Sequence, residues 1–263
     1  MRFTSIVLLI GWLAVASPTM AGLVASSFAF GSGLISIDEN SGSTATIGPP
    51  IAPMNGMSAN SDGQLFGGTT ANFQWEFYEI NPTNGAATMV NAIMPSSEDF
   101  GGIRALEISP TGEVFFVTRV TDLFDTYHQL WSMSSILSDT ATLLVDDFQQ
   151  TQSLAVGPDG TLYGYAFSDA VGLFTIDSSS GAVTSIGGGG VDPQGLAFDA
   201  DGTLFAVSTD NLHVIDVLTG EVLTQFREGT LEDFRSLAYI PTPSSIAIFA
   251  IAAVITRRRR RCR

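Results

Sequence analysis

The chain has 263 residues with 11 Lys+Arg against 26 Asp+Glu, one Cys and no lysine, for a formal charge of -15. All 26 acids lie between Asp38 and Asp233, and only Arg104, Arg119, Arg227 and Arg235 oppose them within residues 22 to 241, which therefore carry a net -22. This excludes long-range attraction to nucleic acid or anionic lipid, lysine Schiff-base and Walker-type phosphate chemistry, and, with Cys262 standing alone, any intrachain disulfide, thiolate zinc cluster or CxxC pair.

The first 21 residues read as an export signal. Arg2 is the charged start, Ile6 to Val15 is apolar, and Thr19-Met20-Ala21 places small residues where a signal peptidase cuts, so cleavage is expected after Ala21. The apolar run is about ten residues where roughly twenty are needed to span a bilayer.

From residue 22 onward the sequence alternates in period two. Leu23 to Phe30, Leu34-Ile35-Ser36-Ile37-Asp38 and Ser43 to Ile47 read as three strands. A repeated unit then begins with an apolar first strand and a tight turn: Met57-Ser58-Ala59 to Gly63, Leu106-Glu107-Ile108 to Gly112, Leu154-Ala155-Val156 to Gly160, and Leu196-Ala197-Phe198 to Gly202. Each copy continues with a second strand (Leu65, Val114, Leu162 and Leu204 lie at their starts) and a third. The third strand carries an Ile-Asp or Ile-Asn element that closes on glycine, as in Ile80-Asn81 to Gly85, Ile176-Asp177 to Gly181 and Ile215-Asp216 to Gly220. The copy around Leu130-Trp131-Ser132-Met133 is degenerate, with Ser135-Ile136-Leu137-Ser138 in place of that turn. Fourth strands follow at Ala87, Thr142, Ala182 and Val222. A fifth copy, Leu237-Ala238-Tyr239-Ile240, stops at Pro241.

Asp-Gly and Thr-Gly turns between β-branched and aromatic runs predict hairpins. Four short antiparallel strands every 42 to 49 residues predict an all-β chain, a β-propeller of five four-stranded blades. The last blade would take its first strand from Arg235 to Ile240 and the other three from the N-terminus, which leaves no open edge. A six-bladed ring is the alternative, with an eroded blade hidden in Gly67 to Phe77 or Thr118 to Gln129. Over residues 22 to 241 the repeat resembles the broad class of extracellular propellers with an Ile-Asp-x-x-Thr/Ser-Gly strand.

Two positions before the first apolar residue of each copy stand Asn55, Arg104, Gln152, Gln194 and Arg235, with Asp192 and Asp233 two positions earlier in the last two copies. This ring is the candidate ligand site at the channel mouth. Arginine forks fit carboxylate or sulfate, so the ring is a candidate site for a small anionic or sugar ligand; the alternative is that these side chains hydrogen-bond neighbouring blades or satisfy their acidic partners. Neither histidine is assigned a catalytic role: His128 and His213 sit in separate copies, His213 is expected on an outer strand face, and no G-x-S-x-G elbow occurs. The chain is therefore expected not to be an enzyme. Asp62, Asp159, Asp199 and Asp201 lie at hairpin turns, which turn chemistry explains. No cofactor or metal site is assigned, beyond loose binding of Ca2+ as a counterion to the acidic surface.

The C-terminus has three parts: Pro241-Thr242-Pro243-Ser244-Ser245, the apolar run Ile246 to Ile255, and Arg257, Arg258, Arg259, Arg260 and Arg261. The prolines end the preceding fold, the apolar run partitions into a membrane, and the arginines hold the cytoplasmic side. This tail resembles the PEP-CTERM sorting signal, except that Thr242 replaces the central Glu. The resemblance implies recognition and cleavage by an exosortase-like enzyme, transient membrane contact, and delivery to the cell surface or the extracellular space. A retained membrane anchor is the alternative. The sequence thus reads as three parts, 1–21, 22–241 and 242–263, and as an exported binding or scaffold module for a surface polysaccharide or surface protein. A hydrolase or lyase acting on exopolysaccharide and a purely structural spacer are the other two classes.

Overall fold

In the computed structural model, residues 22–28, 33–52, 54–96, 100–121, 125–166, 172–227 and 233–241 are described. Every regular element among them is a strand. Blade I is β4 (Gly56–Ala59), β5 (Leu65–Ala71), β6 (Gln74–Ile80) and β7 (Ala87–Ile93). Blade II is β8 (Gly102–Ile108), β9 (Val114–Thr121), β10 (Thr126–Met133) and β11 (Thr142–Phe148). Blade III is β12 (Thr151–Val156), β13 (Leu162–Ala166), β14 (Gly172–Ile176) and β15 (Val183–Gly187), and blade IV is β16 (Gly195–Phe198), β17 (Leu204–Ser208), β18 (Asn211–Ile215) and β19 (Val222–Arg227). Blade V joins the two ends of the domain in the order β20 (Phe234–Ile240), β1 (Gly22–Ser27), β2 (Leu34–Ile37), β3 (Thr44–Ile47).

The protein is a five-bladed β-propeller of antiparallel four-stranded sheets, and the six-bladed alternative falls away. The two segments in which a sixth blade was sought are the long β5–β6 and β9–β10 hairpins, the first reversing at Asn72 and Phe73 with φ of 51° and 62°. The first strands meet in the ring order β4, β8, β12, β16, β20 and back to β4. At the closure Leu23 pairs with Tyr239 and Val24 with Ala238, and the buried Ser26 and Ser236 hydroxyls lie 2.7 Å apart, with Ser236 also donating to the Met54 carbonyl of blade I.

The core is divided among the gaps between blades. Phe66, Trp75, Phe77, Phe116 and Trp131 fill the gap between blades I and II, and four further apolar clusters fill the other gaps. Each sheet is therefore covered on both faces, and exposure rises outward from the buried first strands to the alternating fourth strands such as β11. The Ile-Asp element of the repeat has a local cause. The Asp177 carboxylate accepts the Ser179 and Ser180 N–H groups at 3.0 and 2.9 Å, and the Gly181 N–H returns to the Asp177 carbonyl at 2.7 Å with φ of 71°, a left-handed conformation that favours glycine. Asp38, Asn81 and Asp216 repeat it.

Candidate functional site

The five residues aligned from the sequence enter the ring at one end of the channel. Asn55, Gln152 and Gln194 surround a constriction of about 10 Å³ near its centre, the space of roughly one water, so the channel is a plugged core with two mouths. Arg104 and Arg235 stand at the same end.

Arg235 is held tightly. Its Nη2 lies 2.8 and 3.0 Å from the two Asp233 carboxylate oxygens, its Nη1 donates to Gln194 Oε1 at 3.3 Å, and the guanidinium sits 4.9 Å over the Phe28 ring. Asp233, with φ of 48°, is turned into the left-handed region immediately before β20. Asp192 is exposed as a residue, but partial desolvation of its carboxyl by the surrounding mouth raises it, against Arg235 and the Gln194 side chain, which lower it. Asn55 is tied by its backbone, donating to the Gly68 carbonyl at 3.0 Å.

Arg104 has no such partner: its Nε is buried without a hydrogen bond, and burial, then Arg119, then Arg235, lower its pKa. Sequence alignment missed Arg119, because it comes from the far end of β9 and not from a first strand. The register brings it in, since Arg119 pairs with Gly102 on one side and His128 on the other. Arg119, Thr126, His128, Gln150 and Gln152 then line a cavity of about 350 Å³ between blades II and III. His128 is only 3% exposed, and neither ring nitrogen has a hydrogen-bond partner. Burial, then Arg119 and Arg104, push it down to about 4, so the ring is neutral at pH 7. Two of the four arginines of a strongly acidic domain, Arg119 and Arg104, thus act on a neutral imidazole, and Arg235 acts in turn on Arg104. Such a set can receive an anion.

His213 corrects an expectation. It is 2% exposed, with Nε2 2.9 Å from Ser208 Oγ on the neighbouring strand, and it lies buried within β18 rather than on an outer face. A third strand has no outer face in a ring whose sheets are covered on both sides.

The turn aspartates are committed locally. Asp159 accepts the Thr161 N–H and hydroxyl, and Asp199 accepts the Asp201 and Thr203 N–H groups at 2.9 and 2.8 Å. Among the described residues no three His, Cys, Asp or Glu side chains converge as a metal ion would require. Pro241 ends β20's exit from the ring, whereas Ala21, Pro243 and Arg257 to Arg261 lie outside the described residues.

No protein-family model matches the sequence, and no curated protein matches it. Solved structures do resemble it. A gluconolactonase from Xanthomonas campestris matches at 16% identity and TM-score 0.54, over 76% of this chain and 70% of that one. A chain of a nidogen/laminin complex matches at 10% identity and TM-score 0.57, over 84% of this chain and 98% of that one. The calcium-binding protein regucalcin from Agrobacterium tumefaciens matches at 15% identity and TM-score 0.52, over 86% and 76% respectively. At these identities the likeness is one of fold. It nonetheless corrects the expectation that the chain is not an enzyme: a gluconolactonase is built on this fold, so a propeller without a sequence-level catalytic motif is no argument against activity. Regucalcin binds calcium, but among the described residues here no three His, Cys, Asp or Glu side chains converge to hold such an ion.

Proposed function

We propose that the chain is an exported propeller, delivered to the cell surface or matrix through its C-terminal tail by an exosortase-like enzyme, and that its arginine mouth binds a small carboxylated or sulfated saccharide. The ligand is either free or the exposed end of a surface polysaccharide. One observation carries the reading: Arg104, Arg119 and Arg235 converge at one mouth of a domain of net -22, and only Arg235 has a carboxylate partner among the described residues. Arginine concentrated where the rest of the surface is acidic answers an anion, and a fork geometry answers a planar or tetrahedral one.

A second reading is favoured by His128. A neutral imidazole beside arginines is the pairing that hydrolysis of an ester or lactone uses, the ring taking a proton from water and the guanidiniums stabilising the oxyanion. Such an activity would parallel the gluconolactonase of similar fold.

Calorimetric titration with D-glucuronate and a sulfated disaccharide, against glucose, tests the binding. The acidic sugars are expected to bind saturably, and Arg104→Ala combined with Arg235→Ala to abolish binding without lowering the melting temperature by more than a few degrees. Unchanged affinity in a folded double variant refutes it. Turnover of gluconolactone, lost in His128→Asn, would establish the second reading. Intact mass of the protein recovered from native cells tests the sorting. A species from Gly22 to a residue between Pro241 and Ser245 is expected, and one retaining Arg257 to Arg263 would make the tail an anchor.

A further inference from the structure

At the opposite end of the channel the first strands run into their turns, and the mouth there has the other sign. A cavity of about 270 Å³ opens among Ser58, Glu107, Val156, Phe198, Asp199 and Tyr239, so all five blades line it. Alanine and proline, among them Ala197, Pro110 and Pro158, form much of the remaining wall.

Glu107 is out of place by the logic of the repeat. At the middle position of the first-strand triplet the other four blades carry Ser58, Ala155, Ala197 and Ala238. Glu107 Oε1 accepts the Val156 N–H at 3.0 Å. The Ser58 hydroxyl donates to the same carboxyl while accepting the Ile108 N–H at 3.0 Å. Three blades therefore clamp the carboxyl at a fixed point of the cavity. Among the described residues no cation answers it, since the ion pair Arg235–Asp233 belongs to the arginine mouth. Burial drives the Glu107 carboxyl up to about 8, with the two hydrogen bonds only partly opposing.

The rim carries the negative charge. Glu39 is raised first by burial and then by Asp199, Asp38 and Asp201. Tyr239 is also raised, by burial first and then by Glu39, with Asp199 and Asp201 adding to it. The wall offers ring faces: Phe198 is partly exposed and backed by Tyr163 at a centroid distance of 5.2 Å. A fixed carboxyl, a negative rim and half-open aromatic rings are the elements that hold a cation.

We propose that the turn mouth is a binding site for a small organic ammonium ion, a primary amine on a short apolar body, whose N–H donors meet Glu107 while its carbons lie against Phe198, Tyr239 and the prolines. A divalent metal wants several oxygen ligands and finds one fixed carboxyl. A quaternary ammonium lacks the donors that the remaining carboxylate lone pairs accept. The volume lies just below the roughly 300 Å³ at which ligand pockets begin, which restricts the guest to a small molecule.

The test is calorimetric titration of the full chain with n-butylammonium at pH 8, with butan-1-ol as the neutral isostere and calcium chloride as the inorganic cation. Saturable binding in the millimolar range or tighter is expected for the amine and for neither control. Glu107→Gln, which retains an acceptor for Val156 N–H, is expected to weaken binding at least tenfold, and Phe198→Leu several-fold, each with its melting transition checked. Because the bound cation favours ionised Glu107, wild-type affinity should rise about tenfold from pH 6 to pH 7. Asp199 and Tyr239 are the other titratable groups that line the cavity, with Glu39 and Asp201 acting on Tyr239. All four persist in Glu107→Gln, so the slope lost in that variant belongs to Glu107. Absence of saturable amine binding, equal binding of butan-1-ol, displacement by calcium, or unchanged amine affinity in folded Glu107→Gln would each overturn the proposal.

Discussion

Replacing Glu107 by glutamine, with no ligand present, isolates one carboxyl of 26 and should change how stability responds to pH. In the folded chain this carboxyl is raised from the ordinary 4.5 to about 8. Between those values the native state keeps a proton that the unfolded chain has released. The wild type therefore has this contribution in full below about pH 4.5 and loses it progressively as pH rises to about 8. A displacement of that size would amount to about 5 kcal/mol if fully realised; Glu107 is only partly buried and its mouth is open, so water should reduce it to about 2–3 kcal/mol. Urea midpoints at half-unit steps from pH 5 to 9 measure it, since every other acid titrates in both proteins and cancels. The variant is expected to lie within about 1 kcal/mol of wild type at pH 5 and to gain about 2–3 kcal/mol relative to it by pH 8.5, with equal m-values. A difference that stays flat across the range would mean that Glu107 is ionised in the folded chain, and the account of that mouth would fail.

The opposite sign is expected at the other mouth. His128 is lowered to about 4, so the wild type should lose about 2 kcal/mol between pH 6.5 and pH 4 that His128→Gln does not lose, again read from urea midpoints. Gly56 and Gly195 sit where first strands touch the next blade: a Cβ there would lie 2.3 Å from the Leu106 and Leu237 backbone nitrogens. Alanine at either position should cost about 3 kcal/mol or more by wedging two blades apart. At Gly102, where nothing lies within 4 Å, it should cost less than about 0.5 kcal/mol, and similar losses at all three sites by thermal unfolding would refute the wedge.

The blade count was readable because each repeat is a chemical sentence: apolar triplet, tight turn, Ile-Asp, closing glycine. The side-chain and backbone hydrogen bonds of Asp38, Asn81, Asp177 and Asp216 explain why that grammar survives where the rest of the blade varies. Even the closing blade was legible, since three N-terminal strands lacked a first and one C-terminal strand lacked the rest. The site was half legible. Aligning first strands found Arg104, Gln152, Gln194 and Arg235, but Arg119 and His128 reach the same mouth from the β9–β10 hairpin, and cross-strand register does not show in a linear repeat. The signal was a hairpin longer than its counterparts, which the sequence reading considered as a hidden sixth blade. Glu107 is the one charge among five triplets, but within an apolar strand it reads as an outward-facing residue, and only the ring turns that position into a cavity wall. His213 was misplaced because alternation says which residues share a face, while only the ring says that both faces are covered.

The closing blade also gives the molecule an up and a down. Gly22 pairs with Ile240, and Pro241 lies on the wall of the turn mouth, so both ends of the domain emerge on the same side. A tether attached after Pro241 would pull from the lip of the ammonium cavity and leave the arginines facing outward. Held by its tail, the ring would stand on one mouth like a cup on its rim, sampling the surroundings with the other. Were the tail such a tether, severing it would do more than release a protein: it would free a second opening, of opposite charge, at the end from which the chain leaves the ring.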